Sequence, residues 1–178
     1  MDTIPNLSYN LLAELDEPYA NRELAGRLSC TRLTRGTQDF ALADGISYEL
    51  TLANTGEGIL LTGTAHATGT TECARCLEEA AFEVTGEVVG YFILNPSQHD
   101  EELSDDEFTV VGPDGIVDLA VPVVAAVIYE LPQVLLCKED CAGLCPICGA
   151  NLNEQDCGCA DEPRSDHPFA VLKDLIGD

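Results

Sequence analysis

Between residues 46 and 94 the chain alternates apolar and polar positions with a period of two. The segments concerned, 46-ISYELTLANT-55, 58-GILLTGTAHATGTTEC-73 and 80-AAFEVTGEVVGYFIL-94, are rich in Thr, Val, Ile, Tyr and Phe. Such alternation is typical of β-strands with one buried face. The polar pieces 44-DG-45 and 54-NTGEG-58 predict tight turns. Because no stretch of helical length intervenes, the pattern favours an antiparallel sheet over a parallel, doubly wound one.

The period changes to that of a helix in 118-DLAVPVVAAVIYELP-132. Apolar residues recur there at intervals of three and four, Asp118 can serve as N-cap, and Pro132 ends the pattern. Since this helix is apolar nearly all round, we expect it to be buried against the sheet. The predicted fold class is α+β, an antiparallel β-sheet packed by one buried helix, with a C-terminal cysteine-rich zinc-ribbon-like segment.

We expect one domain over 1–178. Its parts are a mostly β portion over 1–95, an acidic loop over 96–107, a strand and helix portion over 108–136, a cysteine-rich zinc-binding segment over 137–162 and a C-terminal helical tail over 163–178. The first portion begins with a short amphipathic helix or an edge strand within 5–17. A short strand pair is predicted around 113-PDG-115.

Charge narrows the choice of partners. The chain has 32 acidic residues against 8 basic ones, a net charge of −24. A field of this sign repels phosphate backbones, so direct nucleic-acid binding is disfavoured. It suits solubility, salt adaptation or contact with basic proteins such as ribosomal proteins. Four arginines within 14 positions form either a small anion-facing patch or a scattered, solvated set: Arg22, Arg27, Arg32 and Arg35.

The chain has no apolar run near the length of about 20 residues that a membrane span needs. Its N-terminus, MDTIPNLSYNLLAELDEPY, lacks the basic and apolar regions of a signal peptide. We therefore expect a cytoplasmic protein. Thiols stay reduced in the cytoplasm, and dense cysteines there indicate metal binding more often than disulfides.

The cysteine spacing predicts zinc sites. Eight of the nine cysteines stand in four pairs, at Cys73 and Cys76, Cys137 and Cys141, Cys145 and Cys148, and Cys157 and Cys159. A C-x-x-C turn directs two thiolates at one point, and two such pairs complete a tetrahedron around Zn²⁺. The piece 145-CPICG-149 is typical of the knuckle in a zinc ribbon. Four cysteines close the coordination shell, which indicates a structural and not a catalytic ion.

Two structural zinc sites with four cysteines each fit this spacing best. We favour a local site of Cys145, Cys148, Cys157 and Cys159, and a second that joins Cys73 and Cys76 to Cys137 and Cys141. The second would clamp sheet to helix across about 60 residues. An exchange of Cys141 with another late cysteine stays open, as does a single occupied site with four spare thiols.

Other interpretations of the cysteines are weaker. A redox C-x-x-C pair is typical of a βαβ context, which the pattern lacks. Disulfides need an oxidising compartment, and an iron–sulfur cluster is less compatible with the knuckle than zinc. Cys30 stands alone and is interpreted as a small buried apolar residue.

No enzymatic site is predicted. The three histidines, His66, His99 and His167, stand apart from any nucleophile or acid at a catalytic spacing, and no phosphate-binding glycine motif occurs. We therefore expect neither catalysis nor a small-molecule substrate.

A resemblance rests on several pieces that occur in order. They are 72-ECARCLEEAAFEV-84, 130-ELP-132, 137-CKEDCAGLCPICGANLNEQDCGC-159 and 168-PFAVLKDL-175. Together they resemble the YceD family, bacterial and plastid proteins described as large ribosomal RNA subunit accumulation proteins. The resemblance implies a non-enzymatic cytoplasmic factor that supports 23S rRNA accumulation and large-subunit biogenesis. The implied partners are ribosomal proteins or rRNA-processing factors. The alternative hypothesis is a thiol-based redox or zinc-responsive regulatory protein.

Overall fold

The computed structural model of the protein describes residues 6–15, 17–93 and 108–159. The predicted acidic loop (96–107) and helical tail (163–178) lie outside these residues. The elements, in chain order, are β1 (Ser8–Asn10), α1 (Leu11–Glu14), β2 (Asn21–Leu28), β3 (Arg32–Arg35), β4 (Gln38–Asn54), β5 (Ile59–Glu72), β6 (Glu79–Ile93), β7 (Thr109–Val110), β8 (Ile116–Asp118) and α2 (Ala120–Glu130). Both a short strand and a helical turn, β1 and α1, thus lie within 5–17, where one or the other was predicted.

Three long strands dominate the fold, as the alternating segments predict. The large sheet has the order β2-β4-β5-β6-β7, with β3 also paired to β4. Its pairings are antiparallel except that of β6 with β7, which is parallel. The α+β class predicted from the sequence is confirmed, and the sheet is mixed. A second, small sheet pairs β1 with β8.

Two sequence interpretations are wrong in this part of the fold. Asp44 and Gly45 do not form a turn between strands, because β4 runs through them with a register shift between Leu42 and Ile46. The shift lets β3 pair with the first half of β4 and β2 with the second half. The strands on either side of Pro113 do not pair with each other, since β7 joins β6 and β8 joins β1.

Helix α2 packs on the sheet by one face. Its buried residues are Ala120, Val123, Val124, Ala126 and Val127, and it contacts β4, β5 and β6. On the opposite face Val121 and Tyr129 are exposed. The helix begins after Asp118, so this residue is not the N-cap that the sequence suggests. Its carboxylate instead accepts hydrogen bonds from the backbone N–H groups of Leu7 and Ala120.

The core lies between α2 and the large sheet. Its contacts hold the end of α2 near the connection between β5 and β6. Phe40 and Phe82 meet edge to face with ring centroids 5.5 Å apart. Arg35 stacks over Phe40 and donates a hydrogen bond to the carbonyl oxygen of Leu131, just beyond α2. This contact fixes the exit of α2 near the β5–β6 connection, where Glu72 pairs with Glu79.

The arginines clustered in the sequence are mostly engaged within the protein. Arg22 Nε lies 3.6 Å from Glu14 Oε2, and Arg32 Nη1 lies 3.7 Å from Asp39 Oδ2. Arg35 holds the end of α2, as described above. Arg27 lines a shallow groove beside Asp44. Three of the four guanidinium groups therefore have partners in the fold, which favours the interpretation as a scattered set.

Candidate metal centres

The first cysteine cluster joins the sheet to the segment after α2. Cys73 and Cys76 occupy the connection between β5 and β6, and Cys137 and Cys141 follow α2 in the chain. The four sulfur atoms all lie within 4.8 Å of one another. The Sγ atoms of Cys73 and Cys141 are 3.8 Å apart, and those of Cys76 and Cys137 are 3.5 Å apart. Elements more than 60 residues apart in sequence thus converge on one point.

The second cluster is local. Cys145, Cys148, Cys157 and Cys159 also bring four sulfur atoms within 4.8 Å of one another. They close the loop between Ala150 and Asp156, which has little apolar surface to bury. The two groups found in the structure have the same members as the two groups that the sequence spacing favours. Whether these eight residues bind metal stays a prediction.

Both C-x-x-C turns have the same backbone hydrogen bonds. In the first, Leu77 N–H donates to the carbonyl of Cys73 (3.0 Å) and Cys73 N–H donates to that of Glu78 (2.7 Å). In the second, Gly149 N–H donates to the carbonyl of Cys145 (2.9 Å) and Cys145 N–H donates to that of Ala150 (2.8 Å). In each turn the N–H two residues after the first cysteine points at its sulfur, at 3.5 and 3.4 Å. Such N–H donors stabilise thiolate ligands of a metal.

The residue after each C-x-x-C has a left-handed backbone. Leu77 has φ 63°, and Gly149 has φ 76°. A left-handed backbone favours glycine, because a Cβ atom approaches the following carbonyl oxygen. The second knuckle therefore has the residue that its geometry prefers, and the first accommodates a half-exposed leucine there.

The clusters differ in their surroundings. Cys73, Cys76 and Cys141 are buried in a small apolar cluster with Ala80, against which Leu135, Leu136 and Leu144 pack. Leu135 also packs against the main core. In the second cluster Cys145 is buried, Cys148 is exposed, and Cys157 and Cys159 are half-buried. Cys137 of the first cluster is exposed. Three cysteines of the first cluster therefore lie in the packed interior and one lies at the surface, whereas only one cysteine of the second cluster is buried.

The pKa values of the thiols in the first cluster are driven apart. Burial raises the pKa of Cys73, but N–H groups of Cys76, Arg75 and Cys137 outweigh it and lower the value to about 6. The Cys76 sulfur, followed by burial, raises the pKa of Cys137 to about 12. Neighbouring thiols cannot all ionise, because thiolates repel one another. A divalent cation removes that repulsion and displaces the remaining protons.

The second cluster repeats this pattern. The backbone N–H groups of Cys148 and Ile147 lower the pKa of Cys145 to about 6. The sulfur atoms of Cys148 and Cys157 raise the pKa of Cys159 to about 12. In each cluster, backbone N–H groups thus lower the pKa of the first cysteine of the C-x-x-C turn to about 6.

The geometry fits a tetrahedral metal ion. Metal–sulfur bonds of about 2.3 Å, as in zinc–thiolate sites, give tetrahedron edges of about 3.8 Å. The sulfur separations of 3.8 and 3.5 Å in the first cluster match such edges. They exceed the length of about 2.05 Å of a disulfide bond. Four thiolates are a soft, tetrahedral donor set of the kind that zinc prefers, so each cluster could hold a metal ion.

The two clusters are connected by contacts that the cysteine spacing does not reveal. The Asn153 side-chain amide, from the second loop, donates to the Cys141 sulfur of the first cluster at 3.4 Å. Leu144 N–H donates to the Arg75 carbonyl at 3.1 Å, and the Arg75 guanidinium donates to the Cys141 carbonyl at 2.9 Å. Asn153 and Arg75 are thus site residues that sequence reasoning missed. The polar composition of 149-GANLNEQD-156 was the one available signal, and it does not single out Asn153.

The remaining candidate residues lie elsewhere. Cys30 is buried in the main core, and its thiol donates to the Arg32 carbonyl. On the exposed sheet face, His66 Nδ1 lies 3.1 Å from Thr85 Oγ1 and Nε2 lies 3.7 Å from a Glu83 carboxylate oxygen. His99 and His167 lie outside the described residues. Neither described helix has the length and apolarity that a membrane span requires.

Comparison with known proteins gives relatives but no solved structure. Residues 61–176 match the model of a family described as large ribosomal RNA subunit accumulation protein YceD. Uncharacterized proteins of Mycobacterium bovis and Mycobacterium tuberculosis are each 37% identical over 137 residues, which cover 74% of this chain and 62% of the relative. One of Mycobacterium leprae is 33% identical over 107 residues, or 60% of this chain and 49% of the relative. No solved structure matches significantly.

The match to the family model covers the part of the chain that forms the cysteine clusters. It begins in β5 and includes all of β6, α2 and both cysteine clusters. These are the elements that build the paired sites and the helix packed beside them. The chain therefore belongs to the YceD family.

Proposed function

We propose that the protein is a non-enzymatic factor that supports 23S rRNA accumulation and large ribosomal subunit biogenesis. The observation that carries this proposal is the match of residues 61–176 to the YceD family across both cysteine clusters. The description of that family supplies the link to the large-subunit RNA. A cytoplasmic location and a single domain over 1–178 are parts of the same proposal.

Structural zinc is the second part of the proposal. Cys73, Cys76, Cys137 and Cys141 would hold one Zn²⁺, and Cys145, Cys148, Cys157 and Cys159 a second, within a segment resembling a zinc ribbon. Each ion would replace a hydrophobic core that its loops lack, and the first would fix the single buried helix to the sheet. All four positions around each ion would be taken by cysteine, which leaves no open position for catalysis.

The partners that fit are proteins. A net charge of −24 repels RNA and attracts basic proteins, of which ribosomal proteins and rRNA-processing factors are the relevant classes. We propose that the protein acts on the large subunit through such a partner and not through a direct RNA interface.

Deletion of the gene tests the role in the ribosome. We expect a lower ratio of 23S to 16S rRNA and fewer free large subunits on a sucrose gradient. The wild-type gene and a Cys30→Ala variant, which leaves both clusters intact, should restore the ratio. A Cys73→Ser, Cys76→Ser double variant should not. Unchanged rRNA ratios and gradients in the deletion strain would exclude the role.

A second candidate function is a thiol-based redox or zinc-responsive switch. The exposure of Cys148 and the half-burial of Cys157 and Cys159 favour it, because solvent can reach these sulfur atoms. It predicts that mild oxidant reversibly releases one metal ion per chain. A chromophoric chelator measures this release. Full retention of metal at oxidant concentrations that oxidise a free cysteine peptide would rule it out.

A further inference from the structure

An apolar groove of about 430 Å³ lies at the end of the sheet away from the cysteine clusters. Its walls come from four elements and include Val89 and Phe92 of β6, Val110 of β7, Ile116 of β8 and Val121 of α2. Among these residues only Phe92 is buried. The exposed fractions are 68% for Val89, 58% for Val121, and 49% each for Val110 and Ile116. Four exposed apolar side chains around one groove form a candidate interaction surface.

Two unpaired strand edges border the groove. Among the described strands, β7 pairs with β6 on one side only, and β8 pairs with β1 on one side only. Backbone groups at such edges can pair with an added strand. The Ile116 N–H of β8 is an exception, because it donates to the Asp114 carboxylate at 3.3 Å. An extended peptide can use them while its alternate side chains enter the apolar groove.

Charge indicates the chemistry of the peptide. Lys and Arg are absent from positions 76 to 137, and this stretch holds 13 of the chain's 32 acidic residues. Every residue that lines the groove belongs to it. Asp118 lies in the wall, and Glu87 projects from the same face of β6 as Val89. A positive segment is therefore attracted to this surface and meets no fixed cation there.

We propose that this groove binds an extended segment of a basic protein, in which apolar side chains alternate with lysine or arginine. The apolar side chains would contact Val110, Ile116 and Val121, and the cations would face the surrounding carboxylates. That the segment comes from a ribosomal protein rests on the proposed function. That the groove binds a basic, partly apolar segment rests only on the groove itself. A second copy of the chain is a poor occupant because two bodies of charge −24 repel each other.

The test uses the full chain, isotope-labelled and loaded with zinc, and a blocked ten-residue peptide of alternating lysine and valine. We expect backbone NMR shifts to change at Val110, Ile116 and Val121 and to saturate with peptide concentration. A lysine–serine peptide and a glutamate–valine peptide of the same length serve as controls. Both should bind at least about tenfold more weakly, since one lacks the apolar contacts and the other is repelled.

Substitutions locate the binding surface. Ile116→Ser and Val121→Ser each remove a half-exposed apolar side chain and should leave the fold intact. Each should weaken binding of the lysine–valine peptide about fivefold, as expected for the loss of one partly buried aliphatic contact. Tyr129→Ser is the matched control, because Tyr129 is 87% exposed on the same helix and does not line the groove. Its affinity should equal that of the wild type.

Several results would overturn the proposal. Equal binding of the lysine–serine peptide, or shifts confined to other surfaces, would show non-specific attraction. Binding that requires removal of residues 160–178 would show that this segment of the chain occupies the groove. A concentration-dependent dimer that shields the groove would assign it to a second copy. The experiment involves no ribosomes, so it can succeed when deletion of the gene leaves rRNA unchanged, and it can fail when the deletion confirms the proposed function.

Discussion

Asn153 connects the two cysteine clusters by a hydrogen bond to a cysteine sulfur. Its side-chain amide donates to the Cys141 sulfur, and its side-chain oxygen accepts from the Ala142 N–H at 2.9 Å. It belongs to the loop that the second cluster closes, yet it stabilises a thiolate of the first. Donors to metal-bound sulfur hold the ligand in place and lower its basicity.

We therefore expect Asn153→Ala to weaken zinc binding at the first site by about 10- to 100-fold, the usual effect of losing such a donor. Competition with a chelator of known affinity measures the loss. Gln155→Ala, an exposed neighbour in the same loop, is the control and should leave both zinc ions in place. Equal retention of zinc by the two variants would show that the Asn153 contact does not matter.

Gly149 and Leu77 occupy corresponding left-handed positions in the two knuckles. Nothing lies within 4 Å of a Cβ atom placed on Gly149, so Gly149→Ala introduces backbone strain without a clash. We expect a loss of about 1–2 kcal/mol in the stability of the zinc-loaded second loop, measured by hydrogen exchange. The reciprocal Leu77→Gly should not destabilise the first knuckle. Destabilisation by Leu77→Gly together with tolerance of Gly149→Ala would contradict this account.

At the scale of elements, the contact of α2 with β6 depends on Gly86. A Cβ atom at this position would lie 2.3 Å from the carbonyl oxygen of Ala126, in the middle of the helix. The backbone of α2 therefore lies directly on the strand, and no larger residue fits without moving the helix.

Gly86→Ala should destabilise the protein by about 2–3 kcal/mol, as overpacking does in a rigid interior. Gly90→Ala on the same strand is the control. Its added Cβ atom would meet Leu61 at 3.5 Å, an ordinary contact, and the change should be nearly neutral. Chemical denaturation of both zinc-loaded variants measures the difference. Similar unfolding free energies for the two variants would show that α2 has room to shift.

The two cysteine clusters should also differ as elements. Cys145→Ser should unfold the loop from 145 to 159 and leave the sheet intact, since its ligands are local. Cys73→Ser should destabilise more of the protein, because that cluster joins β5 and β6 to the segment after α2. Circular dichroism and hydrogen exchange distinguish local from general loss. Identical melting of the two variants would contradict the distinction between a local cluster and one that joins distant elements.

The sequence predicts the elements better than it predicts their connections. Alternation predicts β5, β6 and the second half of β4, and spacing favours the observed grouping of the eight cysteines. The Asp-Gly pair at 44 and 45 predicts a turn but lies in a bulge within β4, because this dipeptide is compatible with both structures. The parallel pairing of β7 with β6 and the reach of Asn153 to Cys141 depend on tertiary contacts, which no periodicity of the chain records.

At the scale of the whole molecule, zinc content decides between the interpretations of the cysteines. Protein purified under reductant without added metal should contain two zinc ions per chain by elemental analysis. One ion would leave four thiols free and favour the redox switch. No ion would contradict the metal centres altogether and require another explanation for eight converging sulfur atoms.

Removal of the metal should then destabilise the molecule globally. The first site links positions 61 residues apart, between Cys76 and Cys137. Loss of a cross-link over such a loop costs about 4 kcal/mol in chain entropy. For a protein of this size that corresponds to a fall in the melting temperature of about 10 °C. Treatment of the wild type with a chelator should produce this fall, and added zinc should reverse it. The Cys73→Ser variant, whose first site is already broken, should fall by much less. An equal fall in both proteins would locate the stabilising ion in the second cluster instead.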